Sequence, residues 1–393
     1  MSKVFVTFLF LSIALLQMAQ EISVAVFYER KPQGVTLTIQ KGTYLVYNDF
    51  ELVDTLHTGN NVSIVKESEY LVYRNRAKAW ATDTNIRIIN SGDGAFFINY
   101  TGSVEPARCF EGWMKFSVTD YNILAVNYVK LDNYVAAVIE SQGGGMASEE
   151  YFKAQALMVR TYTMLNYGKH SAEGFDLCDG THCQFYKNKA TNRVIIKASE
   201  KTSNKILVDK YRNLINPHSH SNSGGITAPA EYVWSDAQTY LVSIEDEFAK
   251  EGSGYAWKTL IPAADWQNYL VKKGLKTASS KLHKQLLIVQ KDKRMDKFQL
   301  GNESISLSTI KSDWGWKSSY FSMSLDKGVI TVTGNGSGHG VGLSIESAKA
   351  MAAKGYTYDK ILEYFYKDIH IISVNELNIY AQMLAANKKE KPQ

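Results

Sequence analysis

Neither sign of charge dominates this chain. Its 44 lysines and arginines against 39 aspartates and glutamates leave a formal +5 over 393 residues, too small an excess for a nucleic-acid-binding surface. At most it suits weak attraction to an anionic envelope polymer. Internal repeats and low-complexity tracts are missing too, and 45% apolar with 21% charged residues is ordinary globular composition, which argues against disorder. Cysteine is scarce, at three residues. None lies near Ala19, so a lipoprotein anchor is not indicated. The N-terminal apolar run from Val4 to Leu16 falls short of the roughly 18 to 20 residues that a membrane span requires.

That run has another reading. Lys3 precedes it and the small residue Ala19 follows it before Gln20 and Glu21, the layout of a secretory signal. Residues 1–19 are therefore expected to be a signal peptide, cleaved near Ala19, with the mature chain exported to the periplasm, cell envelope or medium. From Ile22 to about Tyr100 the chain alternates with period two, as in Val35 to Ile39, between turns at Gly42, Gly59, Gly92 and Gly94, and further short strands are expected from about Thr101 to Lys130. This predicts an N-terminal β-rich domain over 20–120. A second domain follows over 121–375, in which 257–325 is lysine-rich and irregular and reads as an insertion or subdomain. Strands are expected at Val194–Ile196, Lys205–Val208, Asn213–Ser219, Leu286–Val289, Val329–Thr333 and Ile369–Ser373, with a hairpin turn at Asp209-Lys210. Helices are expected near Ala263–Val271, Ser344–Lys354 and Tyr358–Tyr366. Residues 376–393 form a tail. The fold class is α+β.

The most informative stretch is Leu131 to Tyr167. Apolar side chains at Leu131, Tyr134, Val135, Val138 and Ile139 have the spacing of a helix with one buried stripe. Gln142 continues the stripe. Gly143-Gly144-Gly145 then stops the helix, and Ser148 with Glu149 and Glu150 starts the next one. The pattern is two helices meeting at a glycine elbow with a polar residue on it.

Four ordered segments carry a resemblance: LDNYVAAVIESQ (Leu131 to Gln142) with KAQALMVRTY, FDLCDGTHCQFY (Phe175 to Tyr186), HSNSGGIT with EYVW (His220 to Trp234), and GSGHGVGLS (Gly336 to Ser344) with ILEYFY. Over about 131–366 the chain resembles the SpoIID/LytB family of peptidoglycan lytic transglycosylases. The resemblance implies a SpoIID-like catalytic domain of helices around mixed β-structure, with a long groove for a glycan strand. It also implies the family's reaction. That reaction cleaves the β-1,4 bond after N-acetylmuramic acid and closes a 1,6-anhydro ring on a glycan strand stripped of peptides, with one glutamate as acid and then base.

Here the chain departs from the family. The catalytic glutamate's position falls on Gln142, and a carboxamide cannot protonate a glycosidic oxygen. Glu140, two residues away, is turned by about 200 degrees on a helix. It could substitute only if the helix has already unwound there. Gln142 is thus either a glutamine at the core's edge that fixes the elbow or a sugar-contacting group in a weakened site.

Cys178, His182 and Cys183 form a compact set of soft ligands. The resemblance implies zinc there, with His170 as fourth ligand; a Cys178–Cys183 disulfide or free thiols are the alternatives. Cys109 reads as buried and inert. For substrate contact the candidates are His220, Ser221, Ser223, Gly224 and Gly225 at one tight turn, His339 and Gly340 in the glycine-rich loop, and Tyr186, with Trp234 and Tyr162 as further stacking aromatics. The loop's glycines lack the βαβ unit of a dinucleotide site, so no nucleotide is expected. A cysteine hydrolase using Cys183 and His182 is disfavoured, since adjacent residues rarely orient as nucleophile and base. The leading expectation is an exported transglycosylase-like protein acting on peptidoglycan glycan strands. Its main rival is an inactive homologue that binds glycan and recruits other cell-wall hydrolases.

Overall fold

The computed structural model describes residues 21–234, 236–275, 287–290 and 293–377. The expected signal at 1–19, Leu286 and the tail beyond residue 377 lie outside the described residues. Among those described, no helix is long and apolar enough to cross a membrane. Helices and mixed sheets are interspersed along the chain, which is the α+β class expected. The chain divides into two compact units, Met1–Ser203 and Asn204–Gln393.

Among the described residues the first unit holds two sheets. One runs in the order Leu177–Cys178, Glu21–Val26, Ile123–Lys130, Trp113–Val118, Asn85–Asn90, Thr43–Asn48, Glu51–His57; the other in the order Arg108–Glu111, Ala95–Tyr100, Gly34–Lys41, Asn61–Glu67, Tyr70–Arg74, Ala79–Thr82. Period-two alternation does what it should: Val35, Leu37 and Ile39 are buried while Thr36 between them is exposed. The expected boundary at residue 120 does not coincide with the unit boundary. The Glu21–Val26 strand pairs antiparallel with Ile123–Lys130, Val24 opposite Asn127, so the chain on either side of residue 120 shares one sheet.

Among the described residues three α-helices complete this unit. Helix α1 is Leu131–Ser141, α2 is Glu149–Leu165 and α3 is Arg193–Lys201. The first two follow the elbow pattern. The third corrects the strand expected at Val194–Ile196. That β-branched run suits a strand, but the Asn192 side chain accepts hydrogen bonds from Val194 N at 2.9 Å and Ile195 N at 3.5 Å, an N-cap that starts a helix. Ile195, Ala198 and Ser199 then fall on one buried face.

In the second unit Lys205–Asp209 pairs antiparallel with Ile369–Ser373, and Ser219–His220 pairs parallel with Leu343–Ser344. The turn after Asp209 is longer than a two-residue hairpin: Asp209 N donates to Asn213 O at 2.9 Å. Of the strand expected at Asn213–Ser219, only a bridge at Leu214 and the strand beginning at Ser219 form, and residues 287–290 are not a strand. The helices Ala263–Lys272, Ile345–Ala353 and Tyr358–Phe365 lie where expected. The region 257–325 has its own core, in which fully buried Trp266 and Leu270 pack with Trp257, Phe298, Leu307, Trp316 and Phe321. Its sheet includes Val329–Asn335, and that strand runs directly into the glycine loop 336–342.

Candidate active site and metal centre

The elbow forms because α1 runs out of side chains that can continue it. Gln142 N still reaches Val138 O at 3.0 Å, but Gly143 N and Gly144 N both fold back to Glu140 O at 3.3 Å, and Gly143 takes a φ of 98°. Gly144 is needed for close packing, since a Cβ there would lie 2.6 Å from the Ile195 side chain. Unlike the stripe it was expected to continue, Gln142 is exposed. It caps the helix, and its carboxamide makes no hydrogen bond among the described residues. This removes the reading of a glutamine at the core's edge.

The neighbouring carboxylates are all engaged. Glu140 accepts from Thr191 N at 2.8 Å, Thr191 Oγ1 at 2.7 Å and Asn192 N at 2.9 Å. Partial burial pushes its carboxyl up, but these hydrogen bonds outweigh burial and hold it below the usual range. It is therefore kept ionised, as an anchor for the start of α3. Glu149 and Glu150 pair with Lys153 at 3.1 and 2.6 Å, and Glu149 also with Lys201 at 2.6 Å.

The sulfur cluster is built on the edge strand Leu177–Cys178, which pairs parallel with Val24 and Ala25. Asp179 clamps this loop to the N-terminal strand by accepting from Phe27 N at 2.8 Å and Arg108 Nη1 at 2.6 Å. His170, Cys178, His182 and Cys183 then bring one ligand atom each within 4.8 Å of all the others. Cys183 Sγ is 3.4 Å from His170 Nε2 and 3.8 Å from His182 Nδ1, and Cys178 Sγ is 3.8 Å from His182 Nδ1. Usual zinc bond lengths put tetrahedral ligands about 3.3 to 3.8 Å apart, so the donors and spacing fit a metal. The disulfide alternative is not adopted: both cysteines are free thiols, and hydrogen bonding between them pulls Cys183 down and pushes Cys178 up. Sequence reasoning missed an outer layer here. Glu173 Oε1 lies 2.6 Å from His170 Nδ1, and Tyr28 OH donates to Glu173 Oε2 at 2.6 Å. A carboxylate at the far nitrogen fixes the imidazole with Nε2 facing the ligand position.

In the second unit the turn at His220 and the glycine loop are laced together. His220 Nδ1 donates to Val341 O at 3.0 Å, and His339 Nδ1 accepts from Val341 N at 3.1 Å. Trp234, 41% exposed, stacks on His218 at 4.1 Å and meets His339 edge-on at 5.2 Å.

Residues 119–208, which hold the elbow and all four cluster residues, match the SpoIID family, described as Stage II sporulation protein. Over 264 residues the chain is 30% identical to Stage II sporulation protein D of Bacillus subtilis, spanning 63% of this chain and 76% of that protein. The chain belongs to the SpoIID family. It is also 24% identical over 344 residues to an uncharacterized protein of Brachyspira hyodysenteriae, spanning 86% of this chain and 90% of that one. To the amidase enhancer of Bacillus subtilis it is 31% identical over 148 residues, 37% of this chain and 18% of that protein.

Five contact candidates of this SpoIID chain need correction. Tyr186 is core, not platform: it is 1% exposed, and its hydroxyl donates to Asn127 Oδ1 at 2.8 Å. Ser223 is fully buried and donates to Asp246 Oδ2. Gly224, at φ 71°, packs its backbone against Asn335 and Gly336. Gly340 and His220 are likewise buried. Ser221, Gly225 and His339 keep exposed surface, and the Trp234–His218 stack lies against His339. His218 carried no signal beyond a polar residue two before a motif.

Burial holds the SpoIID chain's three clustered imidazoles below their usual range: His218, His220 well below, and His339 down to about 4. A group kept neutral by the fold takes up more protons when unfolded, so stability falls on acidification. The His339 contribution is whole above about pH 6.5, and it is lost as the pH falls to about 4. Thermal melts at pH 7 and pH 4.5 should show His339→Gln losing less stability than wild type, by on the order of 2 kcal/mol. Equal acid sensitivity in the two proteins would refute this.

Proposed function

We propose that this SpoIID chain works after export at the cell wall on glycan strands of peptidoglycan, and that it holds them while cutting them weakly or not at all. The observation that carries this is the solvent-facing carboxamide of Gln142 on the elbow, the position that the family resemblance assigns to a catalytic glutamate. The engagement of Glu140, Glu149 and Glu150 supports the binding side of the reading, because none of them stands ready to lend a proton. Family membership, Trp234 stacked on His218, and the polar surface of Ser221 and His339 support glycan as the ligand. One relative is named an amidase enhancer, which favours other wall hydrolases as partners. The test measures co-sedimentation of the protein with stripped glycan strands together with release of anhydro-muramic ends. Tight binding with little release is expected; rapid release by wild type would overturn it.

Zinc is the metal proposed for Cys178, His182, Cys183 and His170. Bound there it would cross-link the 170–183 loop as a structural ion, with four protein donors filling a tetrahedron. Glu173→Gln should weaken zinc retention against a competing chelator by about 10- to 100-fold without removing a donor. Unchanged retention would mean that the Glu173–His170 contact does not orient the ligand.

A further inference from the structure

One end of the first unit's two sheets opens into a cavity that the roles assigned above do not use. Its volume is about 600 Å³, within the range of sites that hold a small ligand. The Gly34–Lys41 and Ile123–Lys130 strands finish at it, the Glu21–Val26 strand starts at it, and α1 and α3 wall it through Ala136, Ile196 and Glu200. Close packing fixes part of the lining. A Cβ on Gly94 would lie 2.6 Å from the Tyr44 hydroxyl, and one on Gly112, at φ 78°, would collide with Tyr128 O.

Charges of both signs meet at this cavity from separate parts of the chain. Glu21, Lys41, Asp93, Lys130 and Glu200 all line it and are exposed. Among the described residues none of these five side chains makes an ion pair or a hydrogen bond. Glu21 and Lys130 stand opposite each other in the sheet, where unlike charges ordinarily attract, and still they do not pair. Glu111, half-buried, is already compensated: Asn133 Nδ2 donates to its Oε2 at 2.7 Å, and Lys189 Nζ lies 3.6 Å from its Oε1. Buried Ala95 and Ala136, with half-buried Ile196, add an apolar portion.

This lining excludes most ligand classes. No aromatic side chain lines the cavity, so a sugar ring has no face to stack on. The carboxylates of Glu21, Asp93, Glu111 and Glu200 oppose a phosphate or an anionic polymer, and the ammonium groups of Lys41, Lys130 and Lys189 oppose a free cation. A ligand of both signs with an apolar body suits it. We propose that the cavity binds a short peptide carrying ammonium and carboxylate groups, the carboxylates meeting the lysines and the ammonium groups meeting Glu21, Asp93 and Glu200. Peptides of this make-up are what peptidoglycan carries on its glycan. The proposal goes beyond the glycan reading and stands whether or not the elbow cuts. Segment 187–192 links the cavity to the elbow, since Lys189 and Ala190 line the one while Thr191 and Asn192 bind Glu140 beside the other. Along α1, Ala136 and Gln142 are only about 9 Å apart.

The test is calorimetric titration of the full-length protein with the tripeptide alanyl-γ-glutamyl-lysine, and with the same peptide acetylated on its amines and amidated on its carboxyls. Wild type should bind the charged form about tenfold more tightly, the range of charge-assisted contacts, and the preference should shrink at high salt as the rim charges are screened. Lys130→Gln combined with Glu200→Gln leaves the net charge unchanged and alters two exposed, unpaired side chains. The double variant should melt as wild type does and bind the charged peptide no better than the capped one. Failure of wild type to bind the charged peptide overturns the proposal, as does equal affinity for the two forms or a preference that survives in the double variant. Tighter binding of a neutral N-acetylglucosamine disaccharide, lost in the double variant, would overturn it in favour of a sugar site.

Discussion

Replacing Gln142 by glutamate should raise the release of 1,6-anhydro ends from stripped glycan strands by about 10²- to 10⁴-fold, the usual worth of a placed general acid. The site is prepared for the change. Residue 142 is exposed, terminates α1 through its backbone alone, and has no side-chain hydrogen bond among the described residues, so a carboxylate there displaces nothing. The isosteric exchange adds one titratable group and leaves shape alone. Glu140 cannot make the same gain, because its hydrogen bonds from Thr191 and Asn192 favour the ionised form, and an acid must hold its proton until the glycosidic oxygen takes it. Accordingly Glu140→Gln in the Gln142→Glu background should loosen the start of α3 while sparing most of the regained rate. Should Gln142→Glu bind strands as wild type does yet release no more ends, the elbow is not where protons are transferred.

How much of this was legible beforehand depends on the range of the interactions. The alternation in Val35–Ile39 and the glycine stop after Gln142 are local patterns, and the structure follows them. Helix α3 was misread because Val194-Ile195-Ile196 is β-branched, and a single Asn192 cap plus packing of Ile195 overrides that preference. The metal cluster was visible as residue types, but its outer layer was not: Tyr28 and Glu173 stand 145 positions apart, and only the sheet that pairs Val24 with Leu177 brings them together.

Arg160→Met should lower the melting temperature by roughly 10 °C, the second large effect expected. Arg160 is fully buried in α2, and it donates to Asp132 Oδ1 of α1 at 2.7 Å, to Ser199 O of α3 at 3.1 Å and to Thr202 O at 2.8 Å. One guanidinium thus ties together the three helices that frame the elbow, and it satisfies carbonyls at the C-terminal end of α3, where a positive charge is favoured. Methionine fills similar volume but leaves those carbonyls and the Asp132 charge without it, a loss of about 3 to 5 kcal/mol for breaking a buried pair from one side. Asp132 retains its hydrogen bond from Ser203 Oγ at 2.6 Å and is partly exposed, which places the expected loss at the lower end. In a unit of this size each kcal/mol moves the transition by about 2 to 4 °C. Arg160→Lys should recover only part of the loss, since an ammonium cannot span the two carbonyls and the carboxylate in a planar fork. A shift below about 2 °C for Arg160→Met, with metal content unchanged, would mean that the helices around the elbow are held by apolar packing and owe little to this charge.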